Sequence, residues 1–317
     1  MPTTQLKLGR ATREAFGDAL LEAGKANKDI VSIDADLAKS TFAAVFGKQF
    51  PERFFNIGIQ EANMVSVGSG LAASGKIPWV SSFSAFVLGK GYDQLKMGAA
   101  YPGLNVKVAG SHAGISVGED GVSQQCIEDI ALACALPGFV VCIPADEPSM
   151  RAAVLAAVEH KGPVYLRLGR PKTYLVHPPD VAFEFGRAIQ LRDGTDVTIV
   201  GIGGLVAEAL IAADTLSERG TQARVLDMHT VKPLDEDALE RAARDTGAIV
   251  VAEEHLRCGG LGSAVAQSLA GRTPAPCEFV NLGDSYAESG KPEDLKEKYG
   301  MNAAQIVGAV ERVLARK

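Results

Sequence analysis

The stretch Phe54-Phe55-Asn56-Ile57-Gly58-Ile59-Gln60-Glu61-Ala62-Asn63-Met64 runs directly into VSVGSGLAASG (65–75) and passes from aromatic and β-branched residues to small ones. Rings and branched side chains suit a pleated, half-buried strand, whereas the small-residue run favours a helix, so the stretch is predicted as a strand handing over to a helix. Glu61 stands at the handover. A carboxylate buried there is costly unless a partner takes its proton or its charge. A glutamate serving the dipole of a helix N-terminus would account for its position but not for its apolar surroundings.

The same alternation extends in both directions. Short apolar runs, IVSIDAD (30–36), IPWVSS (77–82), NVKVAGS (105–111), FVVCIPA (139–145) and PVYLRL (163–168), are separated by helical patterns over 11–25, 61–74, 86–101 and 147–160. Strands alternating with helices predict a parallel sheet covered on both faces. A polar, proline-bearing stretch, RPKTYLVHPPDVAFEFG (170–186), interrupts the pattern, which restarts with VTIVGIG (197–203), ARVLDM (223–228), AIVVAEE (248–254) and CEFVNLG (277–283). The fold class is therefore predicted as α/β, with two doubly wound domains of mainly parallel sheet: residues 1–172, a linker over 173–190, and 191–317. The last segment, 291–316, is read as helical, with a proline early, acids in its first turn and a basic amphipathic end.

Composition narrows the function. The 317 residues are 47% hydrophobic and 22% charged, which supplies a large core. A net charge of -6, with no cluster of Lys and Arg, argues against a nucleic-acid binder. The five cysteines are far apart, without a CxxC pair, so free thiols in a reducing cytoplasm are expected rather than a zinc site. No apolar run reaches the ~20 residues of a membrane span, and MPTTQLKLGR has no apolar secretion segment.

Two glycine-bearing stretches are candidates for chemistry. Gly201-Ile202-Gly203-Gly204 follows a strand and opens a helix, but it lacks GxGxxG spacing and reads better as a tight turn than as a dinucleotide site. In GSHAGISVGEDGVSQQ (110–125) a strand ends at His112 and delivers it to the carboxyl edge of the sheet, where open α/β sheets bind ligands.

FFNIGIQEANM, PWVSSFSAF (78–86), GSHAGISVGEDGVSQQ and VYLRLGRP (164–171) occur in this order, joined by VLDMHTVKPLD (225–235) and EEHLRCGGLGSAV (253–265). With these motifs in register the chain resembles the C-terminal half of transketolase, its pyrimidine-binding and C-terminal domains, from about Leu8 to the end. The resemblance implies thiamine diphosphate as cofactor, with Glu61 facing N1′ of the aminopyrimidine. A carboxyl there favours the tautomer whose 4′-imino nitrogen removes the thiazolium C2 proton. By the same resemblance Phe83 and Phe86, three apart and so expected on one helix face, form the aromatic pocket for the ring. Asp36 and Leu37 lie near the thiazolium, and Gln124 stands where one version of the family has a second histidine, so proton transfer falls more heavily on His112. Arg10, Ser40 and Arg170 match positions that hold a sugar phosphate, a role suited to the planar fork of arginine. His112 and Asp120 match residues that bind sugar hydroxyls. Arg167, for which an exposed surface role is equally open, is left out of this set. The segment VLGKGYDQLK (87–96) is one residue longer than the family pattern, which leaves Lys90 and Tyr92 without an assigned role.

A complete transketolase has a further domain that carries the diphosphate and Mg²⁺, marked by a GDG motif absent from this sequence. The expectation is a split enzyme, α2β2, whose partner subunit supplies the diphosphate and metal half, acting in the cytoplasm on a sugar phosphate. Rival readings are a 1-deoxyxylulose 5-phosphate synthase-like enzyme, the β subunit of a 2-oxo acid dehydrogenase, and a non-catalytic scaffold.

Overall fold

A computed structural model describes residues 6–317; MPTTQ, the first five residues of the expected first domain, lies outside the described residues. The strands are β1 (Leu8–Ala11), β2 (Ile30–Asp34), β3 (Phe54–Asn56), β4 (Ile77–Phe83), β5 (Lys107–Ser111), β6 (Val140–Cys142) and β7 (Val164–Arg167). They continue with β8 (Lys172–Tyr174), β9 (Ile189–Arg192), β10 (Val197–Gly201), β11 (Ala223–Asp227), β12 (Thr230–Lys232), β13 (Ile249–Ala252) and β14 (Cys277–Val280). Two large sheets form, ordered β12-β6-β7-β5-β4-β2-β3 and β14-β13-β10-β11-β9, beside a two-stranded sheet of β1 and β8. All pairs within the two large sheets are parallel except two at the edges, β12 on β6 and β9 on β11. The molecule is α/β with mainly parallel sheets.

The central strands are buried along their whole length, as β2, β5, β7 and β10 illustrate, because helices cover both faces. On one face of the first sheet the helix Thr12–Ala26 packs Phe16 and Leu20 beside Trp79. On the other, Glu61–Ala73 and Ser84–Gln94 pack Met64, Val65 and Leu88 beside Ile33 and Val80. Gly68 is required there, since a Cβ would come within 2.7 Å of Val80. No helix among the described residues is long and apolar enough to cross a membrane.

Four features depart from the sequence reading. The segment 86–101 is one α-helix only as far as Gln94, after which Leu95–Ala100 forms a π-helix. The terminal segment is two helices, Pro292–Lys298 and Ala303–Leu314, broken at Gly300. Arg167, for which the sequence leaves an exposed surface role open, is buried, donating to Asp129 Oδ2 at 2.8 Å and to the Glu254 carbonyl at 2.9 Å.

The fourth is how the two sheets are tied. Strand β12 follows β11 of the second sheet yet adds to the edge of the first. The connecting segment is itself anchored: β8 pairs with β1, and His177 lies buried between Asp146 Oδ1 at 3.1 Å and Asp227 Oδ2 at 3.2 Å, one acid beside each sheet. Burial alone would lower the His177 pKa, but the two carboxylates outweigh it and raise it from 6.5 to about 9. A folded value above the unfolded one means stabilisation that is complete below about pH 6.5 and lost as pH rises through about 9, worth about 3 kcal/mol. Thermal unfolding of the chain and of His177→Ala should therefore converge between pH 7 and 10. Lys107, whose pKa burial lowers to about 7, contributes the opposite slope in both proteins and cancels in the difference. A difference in stability that does not change with pH would remove the charged clamp.

Candidate active site

The carboxyl edge of the first sheet gathers the loops after β2, β3, β4, β5 and β7, each delivering one or more of the side chains read from the sequence. After β3 the chain turns into the helix Glu61–Ala73, so Glu61 opens that helix and is 2% exposed. Its carboxylate has two long contacts, Ser82 Oγ donating at 3.4 Å and Lys90 Nζ at 3.5 Å. For a carboxylate this buried, that is sparse satisfaction. Phe83 is the last residue of β4, not part of a helix, and Phe86 lies in the helix that follows. Their rings nonetheless stack, 5.7 Å between centroids and 20° between planes. The ring of His112 stacks on Phe83 at 3.8 Å. Carboxylate, aromatic rings and imidazole are thus gathered at one edge of the sheet.

His112 ends the β5 loop root with a left-handed backbone, φ 58°, and is 3% exposed. Burial, with the charges of Arg13 and Arg170 added, lowers its pKa to about 3, so the ring is neutral at physiological pH. Nε2 faces Arg13 Nη1 at 3.5 Å and Nδ1 lies 2.8 Å from Ser111 Oγ. A guanidinium has donors only, so Nε2 carries the lone pair and Nδ1 the proton, donated to Ser111.

Arg13 is a residue that the sequence reading missed. It begins the helix after β1, donates to the Ser40 carbonyl at 2.9 Å, and keeps a buried Nε without a hydrogen-bond partner among the described residues. Arg10 does not join this group. It sits on β1, 44% exposed, and pairs with Asp18 at 2.6 Å, Glu14 at 3.5 Å and Glu147 at 3.6 Å. The two arginines are three residues apart, Arg10 on β1 and Arg13 in the helix, and what distinguishes them is their partners: Asp18 and Glu147 already neutralise Arg10.

Arg170 reaches into the loop after β5, where Nη1 donates to the Val117 carbonyl and, at 2.6 Å, to Glu119. The loop is held from the second sheet as well, since Glu254 accepts from Ser116 N at 2.5 Å and from Ser116 Oγ at 3.1 Å. Gly114, at φ 81°, leaves that carboxylate its room, because a Cβ would come within 2.4 Å of it. Asp120 and Gln124 are carried on this loop, Asp120 exposed and Gln124 half-buried beside Ser123. Asp36 takes a left-handed turn at φ 66°, fixed by reciprocal bonds with Asn56, each 3.1 Å. Asp34, whose pKa burial raises to about 6, accepts from Leu37 N at 2.5 Å and thereby sets the position of Leu37 and the helix carrying Ser40.

The chain matches two family models, "Transketolase, pyrimidine binding domain" over residues 9–174 and "Transketolase, C-terminal domain" over residues 186–306. It is 43% identical over 305 residues to the 6-deoxy-6-sulfo-D-fructose transketolase subunit SqwH of a Clostridium species, spanning 96% of this chain and 95% of that protein. It is 40% identical over 300 residues to a putative transketolase C-terminal section of Methanocaldococcus jannaschii, spanning 94% of each. A solved structure described as a split gene transketolase, inactive beta4 tetramer, is similar with a TM-score of 0.91 at 48% identity, over 97% of this chain and 99% of that one.

Proposed function

The chain belongs to the transketolase family, and we propose that it is the pyrimidine-side subunit of a two-chain enzyme that moves a two-carbon ketol unit from a ketose phosphate to an aldose phosphate. The observation that carries the reading is the gathering at one sheet edge of Glu61, the Phe86–Phe83–His112 stack, and Arg13 and Arg170, whose charges both act on His112. A sparsely bonded carboxylate beside stacked rings fits the edge and face of an aminopyrimidine, so Glu61, Phe83 and Phe86 would hold thiamine diphosphate there, with Asp36, Leu37 and Gln124 toward its thiazolium side. When bound, that cofactor supplies a nucleophilic carbon for the donor carbonyl.

The chain's own groups account for the rest. Glu61 holds a proton at the ring nitrogen, which biases the tautomer that activates the cofactor. His112, neutral and with the lone pair of Nε2 held only by a long contact from Arg13, accepts a proton from a sugar hydroxyl as the carbon–carbon bond breaks and returns it to the acceptor. Asp120 reaches the sugar hydroxyls from its exposed loop position. Arg13, whose Nε has no hydrogen-bond partner among the described residues, offers a cation for the terminal oxyanion beside Ser40, and Arg170 would join it by giving up its exposed partner Glu119. Arg13 takes the role that the sequence reading gave to Arg10.

The diphosphate and Mg²⁺ are assigned to a partner subunit in an α2β2 assembly in the cytoplasm. Phe55, Ile59, Met97 and Tyr101, exposed by 40 to 84% around the turn into Glu61 and the π-helix, support a subunit contact beside the site.

Reconstitution tests this. The chain with a diphosphate-binding subunit, thiamine diphosphate and Mg²⁺ should transfer a ketol unit from xylulose 5-phosphate to an aldose phosphate, and the chain alone should not. Pyruvate, the donor of the rival thiamine enzymes, should be inert. Because a relative is named for a sulfonated fructose, 6-deoxy-6-sulfofructose is the second donor to assay. Turnover of pyruvate in place of both sugars would refute the assignment.

A further inference from the structure

Lys90 touches both groups assigned to the aminopyrimidine. Its Nζ lies 3.5 Å from Glu61 Oε2 and 4.3 Å from the centroid of the Phe86 ring. The two ends of this pair differ in exposure: the Lys90 side chain is 52% exposed and that of Glu61 is 2% exposed. A planar heterocycle that hydrogen-bonds Glu61 and stacks on Phe86 competes with the ammonium for the same two partners. Without the ammonium, Glu61 would be a buried carboxylate whose other contact among the described residues is the long hydrogen bond from Ser82. A lysine suits an exchangeable contact, being a flexible stem with a strongly hydrated tip, where the fork of an arginine would grip.

We propose that Lys90 is a stand-in ligand: it neutralises Glu61 while the cofactor is absent and is displaced when the aminopyrimidine binds, so that it sets cofactor affinity by competition. The proposal rests on the reading of Glu61 as the partner of that ring. It gives Lys90 a positioning role exerted through Glu61, not a place in the chemistry.

Calorimetry tests it. In the reconstituted two-chain enzyme, calorimetric titration with thiamine diphosphate and Mg²⁺ should give Lys90→Met a Kd about threefold to fivefold lower than the unaltered enzyme, the size of releasing a half-exposed ion pair. Lys90→Arg should lower it less or not at all. A Kd unchanged or raised in Lys90→Met overturns the proposal. Its failure is distinct from failure of the Glu61 reading, which would appear as unaltered cofactor affinity and ketol transfer in Glu61→Gln itself.

Discussion

Glu61→Gln is expected to lower kcat for ketol transfer by about 10²–10⁴-fold in the reconstituted enzyme, the range for removing a positioned proton-transfer group. Glutamine preserves the size of the side chain and a hydrogen bond to the ring edge but cannot hold the proton that biases the tautomer. Glu61→Ala should be at least as slow, because it also removes the contact that orients the ring. Stability should move the other way or hardly at all. The native carboxylate is 2% exposed with contacts no shorter than 3.4 Å, so replacing it with a neutral amide relieves a poorly satisfied charge. The two readouts together separate catalysis from folding: a large fall in kcat with an unchanged or raised melting temperature is the expected pair. A variant with near-normal kcat would take Glu61 out of the mechanism.

Much of this site was legible because its pieces lie at the ends of strands, and strand ends are marked in sequence. The runs ending at Asp34, Asn56, Phe83, Ser111 and Arg167 each stop where a polar or aromatic residue is delivered to one edge, and periodicity locates that edge without knowledge of packing. Phe83 and Phe86 were paired for an incorrect reason, a shared helix face, yet they stack across the junction between β4 and the following helix. What stayed hidden depends on contacts between distant segments. His177 sits in a stretch read as linker, and nothing local shows that Asp146 and Asp227 converge on it from 31 residues before and 50 after. The edge strand β12 is three residues long, too short for a period to register, and the identity of the sheet it joins is a tertiary matter. Glu254 is invisible for the same reason, since its partner Ser116 is 138 residues away.

The pair of arginines gives the sharpest discrimination between sequence and structure. Arg13→Ala should raise KM for a phosphorylated donor about 10- to 100-fold, the loss expected when a charge-assisted contact of about 1.5–3 kcal/mol disappears, while Arg10→Ala should stay within about twofold. The reasoning is electrostatic. Arg10 is exposed and already surrounded by Asp18, Glu14 and Glu147, so an incoming dianion would meet repulsion there, whereas Arg13 has a buried Nε with nothing to donate to among the described residues. A second effect identifies the mechanism. Arg13 is one of the charges that hold down the pKa of His112, behind burial and ahead of Arg170, so its removal should raise that pKa from about 3. The acid limb of kcat/KM in Arg13→Ala should then move to higher pH, because His112 becomes protonated and loses its lone pair sooner as pH falls. Arg10→Ala should leave that limb in place. If Arg10→Ala instead carries the larger KM penalty, the oxyanion site has to be moved to the outer face of the helix Thr12–Ala26 and away from His112.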